Sequence, residues 1–85
     1  MFFVGKVVWI MTERKIMLRF DEVNEFVKVT YNCDFDIDIY YNRYVVDAKS
    51  FLGVLGLNFN KVLTVRYDGY NEEFESYLGK LAIAC

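Results

Sequence analysis

Between residues 34 and 41 the chain reads DFDIDIYY, in which Asp34, Asp36 and Asp38 alternate with Phe35, Ile37 and Ile39. Side chains of a β-strand point to opposite faces with a period of two, so this segment is read as a strand with one buried and one solvated face. Such a strand suits an antiparallel sheet covered on one side only. The three aspartates then have a plain role. Ligands on one flat strand face do not converge on a point, so they are expected in solvent rather than around a metal ion.

The flanking segments extend the pattern. Residues 41–43 read as a turn and residues 44–47, YVVD, as the returning strand. Asp21 is read as the N-cap of a helix in which Val23, Phe26, Val27, Thr30 and Tyr31 form one stripe, ending at Asn32 or Cys33. Glu22 and Glu25 fall in its first turn, where the helix dipole favours negative charge. A short helix is expected over 51–57 and a strand over 61–67. Asp68-Gly69 turns the chain, and Asn71 caps a last helix with Phe74, Leu78 and Leu81 on its buried stripe, flanked by Tyr77. Glu72, Glu73 and Glu75 are its acidic start. Nearer the N-terminus, residues 7–11 and 15–20 read as two strands joined by a hairpin turn at 12–14. The order β-β-α-β-β-α-β-α suits an α+β fold, one antiparallel sheet with helices on one face.

At 85 residues, 55% of them hydrophobic, the chain is one domain with enough apolar material for a modest core. It has no proline, and no linker or repeat is visible. A net charge of -2, with the basic residues scattered, argues against nucleic acid, so the seven tyrosines are read as sheet and core residues. The apolar start MFFVGKVVWIM is interrupted by Lys6 and is shorter than the roughly 20 residues a bilayer span needs. It lacks the basic start and cleavage site of a signal peptide, so no membrane is expected and the location is read as cytoplasmic. Cys33 and Cys85 have no short spacing and are read as reduced thiols, not a zinc motif. The chain has no histidine. That removes the commonest general base, metal ligand and phosphohistidine acceptor. No catalytic nucleophile–base pair suggests itself, so no enzyme, metal or cofactor is expected.

From Lys15 onward, over about 70 residues, this order resembles HPr, the small phosphocarrier of the bacterial sugar phosphotransferase system. The stretch that carries the resemblance is YYNRYVVDAKSFLGVLGL, residues 40–57. The family pattern there is a tyrosine-asparagine-glycine turn, a short strand, then Lys-Ser, two apolar residues, Gly and an apolar residue. Lys49, Ser50, Phe51, Leu52, Gly53 and Val54 fit it. The resemblance implies an HPr-like open-faced β-sandwich, an antiparallel sheet covered on one face by three helices, over residues 15–85. Residues 1–14 would be an extension that adds an N-terminal strand. The departures are equally specific. The family's Gly-x-His-Ala-Arg-Pro segment, whose histidine carries the phosphoryl group, is replaced by RFDE at residues 19–22, and Arg43 stands where the turn glycine is usual.

In the Gram-positive members the serine of that motif is phosphorylated by HPr kinase, and the modified protein acts as a corepressor. The resemblance therefore implies a regulatory module with Ser50 as phosphorylation site and Lys49, Phe51, Leu52 and Leu55 as partner-binding residues. Its partners would be proteins of the phosphotransferase system or a transcriptional regulator of sugar use. Ser50 has a second reading as a plain helix N-cap, and both stand on the same free N–H groups. Phe51 and Leu55 are expected to be partly exposed, Leu52 and Val54 nearer the core, and Lys49 is placed to pair with a phosphate. Two alternatives remain: a phosphocarrier using another acceptor, and a structural domain forming a homodimer through the N-terminal strand, whose apolar edge contains Trp9. Residues 1–10 are also read as an overhang ahead of a start at Met11.

Overall fold

The computed structural model describes residues 11–83. Strand β1 spans Thr12–Ile16, a 3-10 turn at Phe20–Glu22 leads into helix α1 over Val23–Tyr31, and β2 and β3 follow at Ile37–Tyr41 and Tyr44–Asp47. Helix α2 covers Phe51–Leu55, β4 Leu63–Tyr67 and α3 Glu72–Leu81. The strands form one antiparallel sheet in the order β1-β4-β2-β3. The chain is thus a small α+β domain.

The register sorts the side chains into two faces. Opposite neighbours Val65, Ile39 and Val46 share one row, and Tyr67 and Ile37 the next. Ile37, Ile39, Val65 and Tyr67 are fully buried there under Phe26 of α1, Val54 of α2 and Phe74 of α3. The alternation of residues 34–41 is therefore used as read, with Phe35 packed on the same core. Its ring lies against Tyr67 and Phe74, at 5.9 and 6.2 Å between centroids.

The other face is polar. Glu13, Arg66, Asp38 and Asp47 form one row across it, and Lys15, Thr64, Tyr40 and Val45 the next. Two like charges opposite each other, Asp38 and Asp47, would repel. The structure separates their duties: Arg66 lies 3.9 Å from Asp38, while Asp47 accepts the backbone N–H of Lys49 at 2.9 Å. Arg66 also stacks over the Tyr40 ring at 5.2 Å, and the Tyr40 hydroxyl donates to Glu13 at 2.9 Å. The β2–β3 turn needs one left-handed residue. Asn42 takes that position, with φ 55°, which asparagine tolerates better than most side chains. Arg43 therefore stands in a glycine's place without left-handed strain.

The N-terminal region departs from the sequence reading. Residues 12–14 are not a hairpin turn but the first part of β1, paired to β4 from Thr12↔Tyr67 to Ile16↔Leu63. The free edge beyond Lys15 is also taken, because Ile83 N–H donates to Lys15 O and Met17 N–H to Leu81 O, each at 3.2 Å. The turn expected at 12–14 is therefore replaced by strand. Residues 1–10, with Trp9 and most of the proposed extra strand and dimer edge, and Cys85 lie outside the described residues.

Two features of α1 also differ. Asp21 is not its N-cap. It lies inside the 3-10 turn paired to Arg19 at 3.1 Å, and Glu22 instead reaches back to accept Arg19 N–H at 2.9 Å. Tyr31 is 71% exposed, not buried. The buried residues are Val23, Phe26 and Thr30, and Tyr31 falls about 100° past Thr30 on the wheel, outside the covered arc.

Candidate functional site

The segment leaving β3 is held by short local bonds. Ala48 N–H donates to Ile37 O at 2.9 Å, and the Ser50 N–H to Asp47 O at 2.9 Å. Thr30 of α1, fully buried, sends its hydroxyl to Ala48 O at 3.0 Å and so ties the end of α1 to the start of α2. At the other end Phe20 and Phe59 meet edge to face at 6.0 Å, which brings the start of α1 beside the chain leaving α2.

Ser50 is the N-cap of α2. Its backbone is extended, φ -96° and ψ 108°, and its hydroxyl accepts Gly53 N–H at 3.1 Å. A Cβ at Gly53 would stand 3.2 Å from the Ser50 Oγ and 3.4 Å from Val46 Cβ. The Ser-x-x-Gly spacing thus has a local cause: the glycine supplies the N–H and leaves room for the hydroxyl and for β3. Ser50 is exposed to solvent.

Lys49 is committed elsewhere. Its ammonium donates to Cys33 O at 2.9 Å, serving the carbonyl that follows α1. That bond uses one of the three N–H groups of the ammonium and draws it toward the end of α1. Cys33 itself is buried, its thiol 3.6 Å from Val29 O, and burial raises its pKa despite the nearby Lys49 charge. A thiol held protonated is a poor nucleophile.

The apolar residues of α2 divide differently from expectation. Val54 is fully buried and Leu55 half-buried against the core, while Phe51 is 43% and Leu52 80% exposed. Leu52, expected nearer the core, is the most exposed of the four. It stands two residues from Val54, about 200° around the helix, so burying one turns the other to solvent. Phe20 and Tyr31, 69% and 71% exposed, add aromatic surface on the α1 side that the sequence reading had not assigned to any site. The signal available for Tyr31 was its place at the edge of the α1 stripe.

A second feature lies on the opposite flank of α1. A groove of about 530 Å³ runs between α1 and α3, lined by Glu25, Val29, Glu72, Glu73 and Tyr77, with Ser76 and Lys80. Tyr77 is 8% exposed, its ring 6.4 Å from Phe26, and among the described residues its buried hydroxyl has no hydrogen-bond partner. Leaving such a group unsatisfied costs on the order of 1–3 kcal/mol. Burial, then the charges of Glu25 and Glu22, push the Tyr77 pKa up to about 12.

Among the described residues no three carboxylate or thiol side chains gather to hold a metal ion, and no helix is long and apolar enough to cross a membrane. Asp34 and Asp36 stand in solvent. Comparison with protein-family models, with curated proteins and with solved structures finds no match to the chain.

Proposed function

We propose that the chain is a regulatory protein-binding module of HPr-like architecture that does not carry phosphate on histidine. Ser50 is the observation that supports it most directly: an exposed hydroxyl at the head of α2, followed by the exposed apolar pair Phe51 and Leu52. The order from β1 onward, β-α-β-β-α-β-α, is also the order of that family. The absence of histidine removes the family's phosphoryl acceptor, which leaves the serine and the patch as the features to use.

In this function the module works in the cytoplasm. Its partners are proteins of the phosphotransferase system or a transcriptional regulator of sugar use, and HPr kinase modifies Ser50. A phosphate there adds roughly two negative charges beside Phe51 and Leu52. Because Lys49 is engaged with Cys33, the partner supplies the basic group that reads the phosphate. Partners that bind the unmodified form use the apolar patch alone.

The test is incubation with a bacterial HPr kinase and ATP, read by intact mass and peptide mapping. One added phosphate on Ser50 supports the switch. An unmodified chain beside a fully phosphorylated control HPr in the same tube removes it and leaves Ser50 as a helix cap.

A further inference from the structure

We propose that the chain forms a twofold homodimer by pairing β3 with β3 of a second copy. This interface is separate from α2 and does not depend on the function assigned to it. β3 is an outer strand of the sheet, and among the described residues no strand lies on its far side. Its pairing with β2 decides which backbone groups are left over. Tyr41 and Tyr44 close the two-residue turn, and Ala48 N–H donates to Ile37 O at 2.9 Å. Bonded and non-bonded pairs alternate along an antiparallel ladder, so Tyr44 and Val46 turn their N–H and C=O groups toward β2, and Val45 and Asp47 turn theirs outward. The Asp47 carbonyl takes the Ser50 N–H. The Val45 N–H and C=O and the Asp47 N–H have no partner among the described residues. Such an edge is a template for another strand, and this one carries exposed apolar side chains, Tyr44 at 73% and Val45 at 53%.

The occupant is a second copy because the strand is complementary to itself in one register. With the twofold axis at Val45, the two Val45 residues exchange both N–H···O=C bonds, and Arg43 of each copy stands opposite Asp47 of the other. Both charges are available. One Asp47 carboxylate oxygen accepts Lys49 N–H at 2.9 Å, and the other has no partner among the described residues. Arg43 is exposed and, among the described residues, neither it nor Asp47 enters a salt bridge. Tyr44 of each copy falls across from Val46 of the other, at the non-bonded spacing where side chains approach most closely. Moving the axis to Val46 sets Arg43 opposite Lys49, two like charges, so charge selects the register centred on Val45. A contact of this symmetry closes at two copies. With four residues in the strand the interface is small, so association is weak and depends on concentration.

Sedimentation equilibrium of the full chain from micromolar to millimolar concentration, with amide hydrogen exchange over the same range, tests this. A monomer–dimer equilibrium is expected, with protection of the Val45 and Asp47 amides that rises with concentration. Arg43→Asp and Asp47→Arg each set like charges opposite one another twice, and each alone weakens self-association by roughly tenfold or more. Mixed together, the two variants restore both opposite-charge pairs and associate with each other about as tightly as the parent does with itself. Arg43→Asp lies in an exposed turn, so its effect on association decides the matter if Asp47→Arg, which gives up the bond to Lys49 N–H, unfolds. A chain that stays monomeric at millimolar concentration overturns the interface. So does a dimer indifferent to Arg43→Asp, or a mixture of folded variants that fails to associate. Val45 and Asp47 amides protected equally at every concentration, as when residues 1–10 of the same chain cover the edge, overturn it as well.

Discussion

The hydroxyl of Tyr67 donates a 2.6 Å hydrogen bond to Oε2 of Glu75, joining β4 to α3. The other carboxylate oxygen accepts Arg14 Nη1 at 3.1 Å, so β1 enters the same knot. Tyr67 is fully buried, with its ring 4.9 Å from Phe74. Tyr67→Phe keeps the ring and removes the bond to a charged acceptor, at a cost of about 2 kcal/mol. A lower urea midpoint with an unchanged slope is the expected result. An unaltered midpoint would show that the bond contributes nothing net.

Stability is expected to fall in alkali. Burial first, then the bond to Glu75, raises the Tyr67 pKa, and burial pushes that of Tyr77 up to about 12. Unfolded tyrosines release their protons near pH 10, whereas the folded chain keeps both. The contribution is whole below about pH 10 and is lost as pH rises through the folded values, with a slope of up to about 1.4 kcal/mol per pH unit for each tyrosine. Urea melts at pH 9, 10 and 11 measure it. Tyr77→Phe flattens the slope, and equal stability at all three values contradicts the account.

Gly69 and Gly79 are expected to respond in opposite directions to alanine. A Cβ on Gly69 would run into the Phe35 ring, which is wedged over Tyr67 and Phe74. Moving that ring costs about 1–3 kcal/mol. Gly79 sits inside α3 with nothing within 4 Å of the added atom, so Gly79→Ala adds about 0.5–1 kcal/mol through helix propensity. Thermal melts of the two variants check both signs.

Ser50 contributes to stability whether or not it is a switch. Ser50→Ala removes the bond to Gly53 N–H and costs about 1 kcal/mol, whereas Ser50→Asp keeps an acceptor and stays within about 0.5 kcal/mol of the parent. Equal melting temperatures for all three chains would deny the cap.

Leu52 and Val54 separate surface from core. Leu52→Gln touches a side chain that is 80% exposed and changes stability by less than about 0.5 kcal/mol. Val54→Ala empties a fully buried site and costs about 2 kcal/mol. Chemical denaturation reads both. If the patch is a docking surface, Leu52→Gln weakens partner capture at unchanged stability.

Part of the site was legible in the chain. Ser50 as the cap of α2 and Asn71 as the cap of α3, which accepts Phe74 N–H at 2.9 Å, follow from residues three positions apart. The positions of Lys49 and Leu52 did not. Lys49 reaches Cys33, sixteen positions back, and Leu52 is exposed because Val54 meets the sheet.

The same division holds for the fold. The alternation of residues 34–41 determined which side chains face inward, and the Phe74, Leu78 and Leu81 stripe determined the buried face of α3. Periods of two and 3.6 are written within a few residues, so they survive any arrangement of the rest. Only the tertiary structure decided that residues 12–14 are strand, that residues 81–83 close the edge of β1, and that Tyr31 lies in solvent. β1 pairs with β4 across most of the chain, and its partner is selected by the shared core of Ile16, Leu63 and Leu81, not by any signal near residue 12. Local dihedral and capping preferences are encoded neighbour by neighbour. Edges, exposed faces and ion-pair partners belong to surfaces that exist only once distant segments have packed.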